Sequence, residues 1–288
     1  WRLLQWLQHH DNGSASARLA EAPVSKVSEP SVVSGAPKSP GPVSQDPSTT
    51  DPPPAASHDR AAVIERRDVT PDLIVFRVAR PGNFDFSPGQ SVKLESGGIR
   101  RTYSIVSAPH EPFLEFFVEL APGGQMSEQL RRLQAGDTLS LGTPKGGLGF
   151  DGRVPNHLMV ATVTGINPFI SMVRNYLHRG QAGHRIVLMH GASYQDEFGY
   201  RQELEQLAAA HPEVLTYLPT VSRPGEPRNQ TWTGATGRVD TLVDEVLGEH
   251  GLGPGNTLAY ACGHSGMLES VAGHLQPQGF RLETESYD

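Results

Sequence analysis

The sequence has little of what a nucleic-acid binder, a disulfide-stapled domain or a membrane span requires. Its 24 Lys and Arg face 31 Asp and Glu, and the net charge of −7 argues against binding through phosphate neutralisation. A single cysteine excludes a disulfide framework and a four-thiolate iron–sulfur cluster within these 288 residues. No run of about 20 apolar residues occurs, so we expect no transmembrane helix. The 12 histidines show no metal-ligand spacing, and we assign no metal site.

Residues 1–58 have the composition of a tether. Residues 1–10 (WRLLQWLQHH) are predicted to be a short amphipathic piece, either the end of an upstream element or a frayed leader. Residues 11–58 are rich in Ser, Pro and Ala and lack aromatic residues, which predicts a disordered, semi-stiff linker. Because the first residue is Trp, we expect a longer polypeptide, with any membrane contact made through its missing upstream segment.

Residues 59–153 are predicted to form a small antiparallel β-barrel, because short β runs recur there between Pro and Gly turns. One helix is expected at 125–134, where Met126, Leu130 and Leu133 recur at helical spacing. Residues 154–288 instead alternate strand, Gly-rich turn and helix, which is typical of a doubly wound parallel sheet. Ligands of such sheets bind at the carboxyl ends of the strands.

The strongest local signal is Arg-Thr-Tyr-Ser at 101–104, which follows Pro-Gly-Gln and precedes Ala-Pro. Arginine offers a fixed fork of donors to a pyrophosphate. Two residues further along the same face of a strand, the ring of Tyr103 can stack on a flavin. The alternative is an exposed Arg beside a packed Tyr.

These motifs resemble the bacterial ferredoxin–NADP reductase family. The resemblance implies a small antiparallel six-stranded FAD-binding β-barrel followed by a doubly wound parallel-sheet NADP-binding domain. It assigns Arg101 and Thr102 to FAD binding, Tyr103 to covering the isoalloxazine and Ser104 to a hydrogen bond with flavin N5. A second element lies between a strand and a helix, where free backbone N–H groups can bind an anion. It comprises Gly124, Gln125, Met126 and Ser127. Helix capping is the alternative role for Ser127.

A third segment, ATVTGINPF, corresponds to the turn that wraps the NADP pyrophosphate in the family, and the resemblance assigns Thr164, Gly165 and Pro168 to it. Two residues depart from the family pattern Thr-Gly-Thr-Gly-x-Ala-Pro. We expect Asn167, which replaces Ala, to cap the helix that Pro168 begins. Val163 replaces the first Gly, and a β-branched residue is expected to avoid positive φ and to hold ligand atoms away.

Two further segments resemble family elements. A dianionic 2′-phosphate requires fixed positive charge, and Ser222, Arg223 and Arg238 match the family residues that bind the 2′-phosphate of NADPH. Solvated surface arginines are the alternative. The family's Cys-Gly-x-x-x-Met pattern is present as Cys262, Gly263 and Met267, with the Cys beside the reacting nicotinamide carbon. Tyr287 near the end of the sequence matches an aromatic shield of the flavin, or is a loose terminal residue.

The resemblance thus predicts a ferredoxin- or flavodoxin–NADP⁺ reductase that binds FAD and NADP(H). Hydride passes from NADPH to flavin, and single electrons pass to ferredoxin or flavodoxin. Ser104, Cys262 and Tyr287 are the predicted catalytic residues. We expect a cytoplasmic monomer that binds no nucleic acid. Two alternatives stay open: the flavin reductase module of a larger electron-transfer or oxygenase system, and a non-catalytic flavoprotein, which Val163 alone favours.

Overall fold

The computed structural model of the chain describes residues 59–287. The amphipathic piece and the linker predicted for residues 1–58 lie outside the described residues. The division at residues 153 and 154 stays a prediction. None of the helices between Asp59 and Tyr287 has the length and apolar character that crossing a bilayer requires.

The first sheet is the predicted antiparallel six-stranded barrel. Its strands are β1 (Asp59–Thr70), β2 (Leu73–Ala79), β3 (Ser91–Ser96), β4 (Ile99–Ser104), β5 (Phe113–Glu119) and β6 (Thr138–Leu141), in the order β4-β3-β6-β1-β2-β5. Just past β4, the backbone N–H of Val106 donates to the Glu115 carbonyl of β5 at 2.9 Å, which joins the two edge strands and nearly closes the sheet. Helix α1 (Gln125–Arg131) packs Met126 and Leu130 into the barrel core.

The second sheet is parallel and doubly wound, as predicted. Its strands are β7 (Asn156–Thr162), β8 (Arg185–Ala192), β9 (Leu215–Val221), β10 (Ala235–Thr236), β11 (Thr257–Gly263) and β12 (Arg281–Ser286), in the order β10-β9-β8-β7-β11-β12. Helices α2 (Asn167–His178) and α3 (Arg201–Ala210) pack on one face. Helices α4 (Val243–His250) and α5 (Ser265–Leu275) pack on the other face. Covered on both sides, β7, β8 and β11 are buried along almost their whole length.

Helix α2 joins the parallel sheet to the barrel through two buried hydrogen bonds. The Asn167 amide Nδ2 donates to the Phe117 carbonyl at 2.8 Å, and the Ser171 hydroxyl donates to the Ser107 carbonyl at 2.7 Å. The prediction that Asn167 caps α2 is therefore wrong. Ile166 occupies the N-cap position, and Asn167 is already helical with its side chain directed at the barrel.

A buried ion cluster reinforces this junction. Arg174 of α2 lies 2.9 Å from a Glu115 carboxylate oxygen, 3.3 Å from one of Glu111 and 2.7 Å from one of Glu203. Burial alone lowers the pKa of Arg174, but these carboxylates, Glu203 foremost, hold it well above its usual value. Burial likewise raises the pKa of Glu115, yet Arg174 and Arg77 hold it below its usual value. The cluster joins carboxylates of the barrel and of α3 to an arginine of α2 in a largely buried position.

Local hydrogen bonds set two element boundaries. Helix α1 ends at Arg131 instead of the expected residue 134, because the chain tightens into a turn in which the Leu133 N–H donates to the Leu130 carbonyl. Strand β4 ends at Ser104, because the Ile105 N–H leaves the ladder and donates to the Gln90 carbonyl.

Candidate active site

Two cavities lie along the carboxyl ends of the parallel strands, where the strand order reverses between β7 and β11. Thr162 ends β7 and Gly263 ends β11. A Cβ on Gly263 would lie 2.3 Å from the Thr162 hydroxyl oxygen, so only glycine permits this approach. The larger cavity, of about 650 Å³, is lined by residues of the barrel as well as of the parallel sheet. The smaller cavity, of about 380 Å³, is lined by residues that follow β7, β8 and β9.

Strand β4 lines one side of the larger cavity, with Arg101, Thr102, Tyr103 and Ser104. The exposed Arg101 guanidinium donates from Nη1 to the Arg100 carbonyl at 2.8 Å. Since a guanidinium carries five N–H donors, donors remain for an anion. Tyr103 packs its ring against the barrel core, and burial raises the pKa of its hydroxyl to about 12. The strand therefore presents a cation and an aromatic ring to one space.

The start of α1 lines the larger cavity as well, through Gly124, Gln125, Met126 and Ser127. Gly124 occupies the N-cap position in an extended conformation and offers no side chain to the helix end. Ser127 lies three residues inside the helix and is buried, so the capping role considered for it is wrong. The first-turn N–H groups thus have no capping side chain, which suits a bound anion.

The smaller cavity brings together the predicted 2′-phosphate residues Ser222, Arg223 and Arg238. The Arg223 guanidinium donates to the Tyr194 hydroxyl at 3.0 Å. The Nε of Arg238 lies 3.2 Å from the Asp240 carboxylate, whose side chain is 5% exposed. The two arginines therefore share one cavity but have different partners.

Val163 begins the turn between the two cavities in a strained conformation. Its φ is +42°, the one positive value for a non-glycine residue between Asp59 and Tyr287. The expectation that a β-branched residue avoids positive φ here is therefore wrong. The surroundings enforce the strain: buried His190 of β8 bonds through Nε2 to the Val163 carbonyl at 2.9 Å and through Nδ1 to the Tyr217 hydroxyl at 3.1 Å. Because a carbonyl only accepts, Nε2 carries the proton, and Tyr217 donates to Nδ1.

Four residues line both cavities: Glu119, Thr164, His264 and Tyr287. His264 is the N-cap of α5, and its Nδ1 accepts from the Met267 N–H at 3.3 Å, which leaves the neutral ring's proton on Nε2. Burial, followed by the neighbouring carboxylates of Glu197 and Asp72, raises the pKa of Glu119. A ligand that extends from one cavity into the other must pass these four side chains.

Tyr287 covers the turn Val163–Ile166, which we call the nucleotide turn because the sequence predicts nucleotide binding there. Its hydroxyl donates to the Thr162 carbonyl at 3.1 Å, and a Cβ on Gly165 would lie 2.4 Å from that hydroxyl oxygen and 2.1 Å from the Cys262 carbonyl oxygen. Gly165 is thus the residue that lets Tyr287 and β11 approach the turn. Cys262 is fully buried, and burial raises the pKa of its thiol, with Glu285 adding to the effect.

Most of the predicted site residues line the two cavities, and five do not. Gly165, Pro168, Cys262, Gly263 and Met267 lie behind the cavity walls as buried packing. The sequence patterns missed Glu119, His264 and Glu285 because isolated carboxylates and a lone histidine carry no spacing. The one available signal was position: His264 stands inside the Cys-Gly-x-x-x-Met segment, and Glu285 two residues before Tyr287.

The larger cavity fits FAD by its donor and acceptor set. Two buried oxygens that belong to its lining residues, Asn167 Oδ1 and Glu285 Oε2, have no hydrogen-bond partner among the described residues. Unpaired buried acceptors require a donor, and a flavin ring with its ribityl chain offers N–H and O–H groups. Arg101 and the first turn of α1 would hold the pyrophosphate, and Tyr103 offers a ring face for the flavin.

Comparisons with known proteins identify the two domain families of the chain. Residues 60–150 match the oxidoreductase FAD-binding domain family, and residues 159–273 match the oxidoreductase NAD-binding domain family. A ferredoxin–NADP reductase B of Sorangium cellulosum is 35% identical over 217 residues, which cover 71% of this chain and 86% of that protein. The reductase component of the naphthalene 1,2-dioxygenase system of Pseudomonas putida is 28% identical over 74% of this chain and 62% of its own length.

A solved ferredoxin–NADP⁺ reductase of Neisseria gonorrhoeae with bound FAD and NADP superposes with a TM-score of 0.68 at 26% identity. The match covers 81% of this chain and 99% of that structure. The chain therefore belongs to the ferredoxin–NADP reductase family and is an FAD-dependent oxidoreductase that takes electrons from NAD(P)H.

Proposed function

We propose that this protein is a ferredoxin- or flavodoxin–NADP⁺ reductase that uses NADPH. One observation carries the proposal: a cavity fitted to FAD shares a wall with a second cavity that contains two arginines and a serine. Fixed guanidinium groups suit a phosphate dianion, whereas NADH carries a hydroxyl at the same position. The ferredoxin–NADP reductase relatives support the choice of acceptor.

When bound, FAD supplies the conversion of a two-electron donor into one-electron steps. The residues of the chain supply position and polarity. Arg101 and Gly124 to Ser127 would anchor the pyrophosphate of FAD, and Tyr103 and Ser104 would orient its ring system. Arg223, Ser222 and Thr164 would hold NADPH, whose nicotinamide must reach the shared wall for hydride to cross.

Tyr287 would gate this wall. Its hydroxyl bonds to the Thr162 carbonyl, and the ring is only partly buried, so the side chain can leave without unpacking a core. Behind it lie Cys262 and Glu285. Burial raises the pKa of Glu285, whose Oε2 has no hydrogen-bond partner among the described residues.

A second candidate is the reductase component of a larger oxygenase system. It is favoured by the relatives in the naphthalene dioxygenase and propane 2-monooxygenase systems, the latter from Mycolicibacterium goodii and 26% identical. The flavin and nucleotide chemistry is the same in both candidates, and only the acceptor differs. The cytoplasmic location expected from the sequence stays a prediction.

Anaerobic stopped-flow mixing of the FAD-loaded protein with NADPH and, separately, with NADH tests the proposal. We expect the flavin absorbance to bleach faster with NADPH than with NADH. Reduced protein is then mixed with a [2Fe–2S] ferredoxin, a flavodoxin or a Rieske-type oxygenase component. Fast electron transfer to the oxygenase component alone would replace the first candidate with the second, and flavin that neither nucleotide reduces would refute both.

A further inference from the structure

We propose that Asp240 limits the preference for NADPH by competing with the 2′-phosphate for Arg238. The proposal rests on the NADPH-binding role proposed above for the smaller cavity. Asp240 lines that cavity together with Arg223 and Arg238, in the segment between β10 and α4. Its side chain is 5% exposed, whereas that of Arg238 is 56% exposed. The cation is thus accessible to a ligand and the carboxylate beside it is largely shielded from water.

The two arginines of the cavity are not equivalent. Arg223 donates to the neutral hydroxyl of Tyr194. Arg238 instead faces a carboxylate, with its Nε 3.2 Å from Asp240 Oδ1, and Asp240 has no other charged partner within residues 59–287. A neighbouring arginine, Arg228, also pairs with carboxylates, those of Asp196 and Glu197, and it does not line this cavity. Arg223 is therefore the cation that a phosphate meets without a competing anion.

A 2′-phosphate that approaches Arg238 must displace Asp240 or share the guanidinium with it. The carboxylate and the phosphate repel each other, and shielding from water strengthens that repulsion. NADH brings a ribose 2′-hydroxyl instead, which a carboxylate accepts favourably as a hydrogen-bond donor. Asp240 therefore repels the 2′-phosphate of NADPH and accepts a hydrogen bond from the 2′-hydroxyl of NADH. It thereby narrows the difference in binding affinity between the two coenzymes.

Asp240→Asn removes the charge and keeps the shape of the side chain. Binding of 2′,5′-ADP and of 5′-ADP to the FAD-loaded protein is measured by calorimetry, together with kcat/KM for NADPH and NADH. We expect 2′,5′-ADP to bind about tenfold more tightly, equal to about 1.4 kcal/mol, with 5′-ADP unchanged or weaker. The matched control is Asp244→Asn, the same change on an exposed residue in the first turn of α4 that lies outside the cavity lining.

Unchanged or weaker binding of 2′,5′-ADP by Asp240→Asn would overturn the proposal, as would an equal gain for both ligands. If the variant fails to fold, single Arg→Gln variants serve instead. Arg238→Gln must then weaken 2′,5′-ADP binding less than Arg223→Gln does, and equal losses would overturn the proposal. The same variants distinguish a failure of the proposed NADPH specificity from a failure of the proposed role of Asp240. If Arg223→Gln affects 2′,5′-ADP and 5′-ADP equally, the proposed NADPH specificity fails. If it affects 2′,5′-ADP selectively while Asp240→Asn has no effect, only the role of Asp240 fails.

Discussion

Replacing His190 tests how the strained nucleotide turn is maintained. In His190→Phe the Tyr217 hydroxyl and the Val163 carbonyl both lose their partner. A buried polar group left unpaired costs about 1–3 kcal/mol, and the Val163 carbonyl, which is only partly buried, costs less. Relaxation of Val163 returns part of a strain of about 1–3 kcal/mol. We therefore expect the free energy of unfolding to fall by about 2–4 kcal/mol.

The same substitution should also weaken nucleotide binding, because the released turn carries Thr164 and Gly165. A displacement of about 1 Å in a positioning element can cost about 100-fold in rate. We expect the dissociation constant for NADP⁺ to rise at least about tenfold, with FAD content unchanged. His190→Gln should recover most of the loss, because its amide can still donate to the Val163 carbonyl. Urea denaturation and NADP⁺ difference spectra measure the two effects.

His157→Phe is the matched control for these measurements. His157 is also fully buried in the parallel sheet and bonds to a tyrosine, Tyr260, but it stands near the start of β7, away from the cavities. We expect it to lower stability without changing NADP⁺ affinity. If His190→Phe leaves NADP⁺ affinity intact, or if His157→Phe reduces it equally, then His190 does not hold the turn for the nucleotide.

The pH dependence of stability gives a further test of His190. Burial lowers its pKa to about 4, against about 6.5 in the unfolded chain. Between these values the unfolded chain binds a proton that the folded protein excludes, so stability falls as the pH drops from about 6.5 to about 4. His190→Gln removes this contribution and should reduce the slope of the profile over that window, to which His110 and His157, with pKa values also lowered to about 4, still contribute. A wild-type and a variant profile with equal slopes there would contradict the assigned tautomer and burial.

Three further substitutions test other parts of the site. Tyr103→Ala should release FAD on gel filtration, and full retention of flavin would refute its contact with the ring system. Gly165→Ala should weaken NADP⁺ binding, because the new Cβ would lie 2.1 Å from the Cys262 carbonyl oxygen, whereas Gly149→Ala, which has open space, should not. Glu115→Gln should destabilise the protein by about 3–5 kcal/mol in urea at pH 7, because Arg174 loses a buried partner. Since the pKa of Glu115 is lowered on folding, its stabilisation is complete above about pH 4.3 and is lost in more acid solution, so wild type and variant should converge there.

The sequence was sufficient to predict both sheets, because the short β runs and the Pro and Gly turns between them are local patterns that recur along the chain. Short β runs between Pro and Gly turns predicted the longer barrel strands. Strand β6, with four residues, and strand β10, with two, are too short to show a hydrophobic periodicity. Ordered motifs such as the one at 101–104 predicted which strands and turns bind the cofactors, and most of the predicted residues line the two cavities. The elements of the site follow from that order, although the roles of their residues stay proposals.

What the sequence could not predict depends on contacts made only in the folded chain. Propensity placed Asn167 at a helix cap, but the barrel offered its side chain a carbonyl acceptor. Steric reasoning excluded a positive φ at Val163. The folded chain maintains this conformation because His190, which is distant in sequence, donates a hydrogen bond to the Val163 carbonyl. Asp240 stands two residues after Arg238 in the sequence, but only the structure shows its buried carboxylate beside that guanidinium in the cavity.

The anchoring of α2 decides how such reductases can be recombined. Its residues Asn167, Ser171 and Arg174 bond to the barrel, while the same helix starts at the nucleotide turn. A chimera cut in the connection near residue 150 would pair this barrel with a foreign α2 and leave Glu111 and Glu115 without Arg174. A module for exchanging the residues proposed to bind NADPH therefore excludes this helix: it begins at β8 and carries β9 and the segments that contain Arg223 and Arg238.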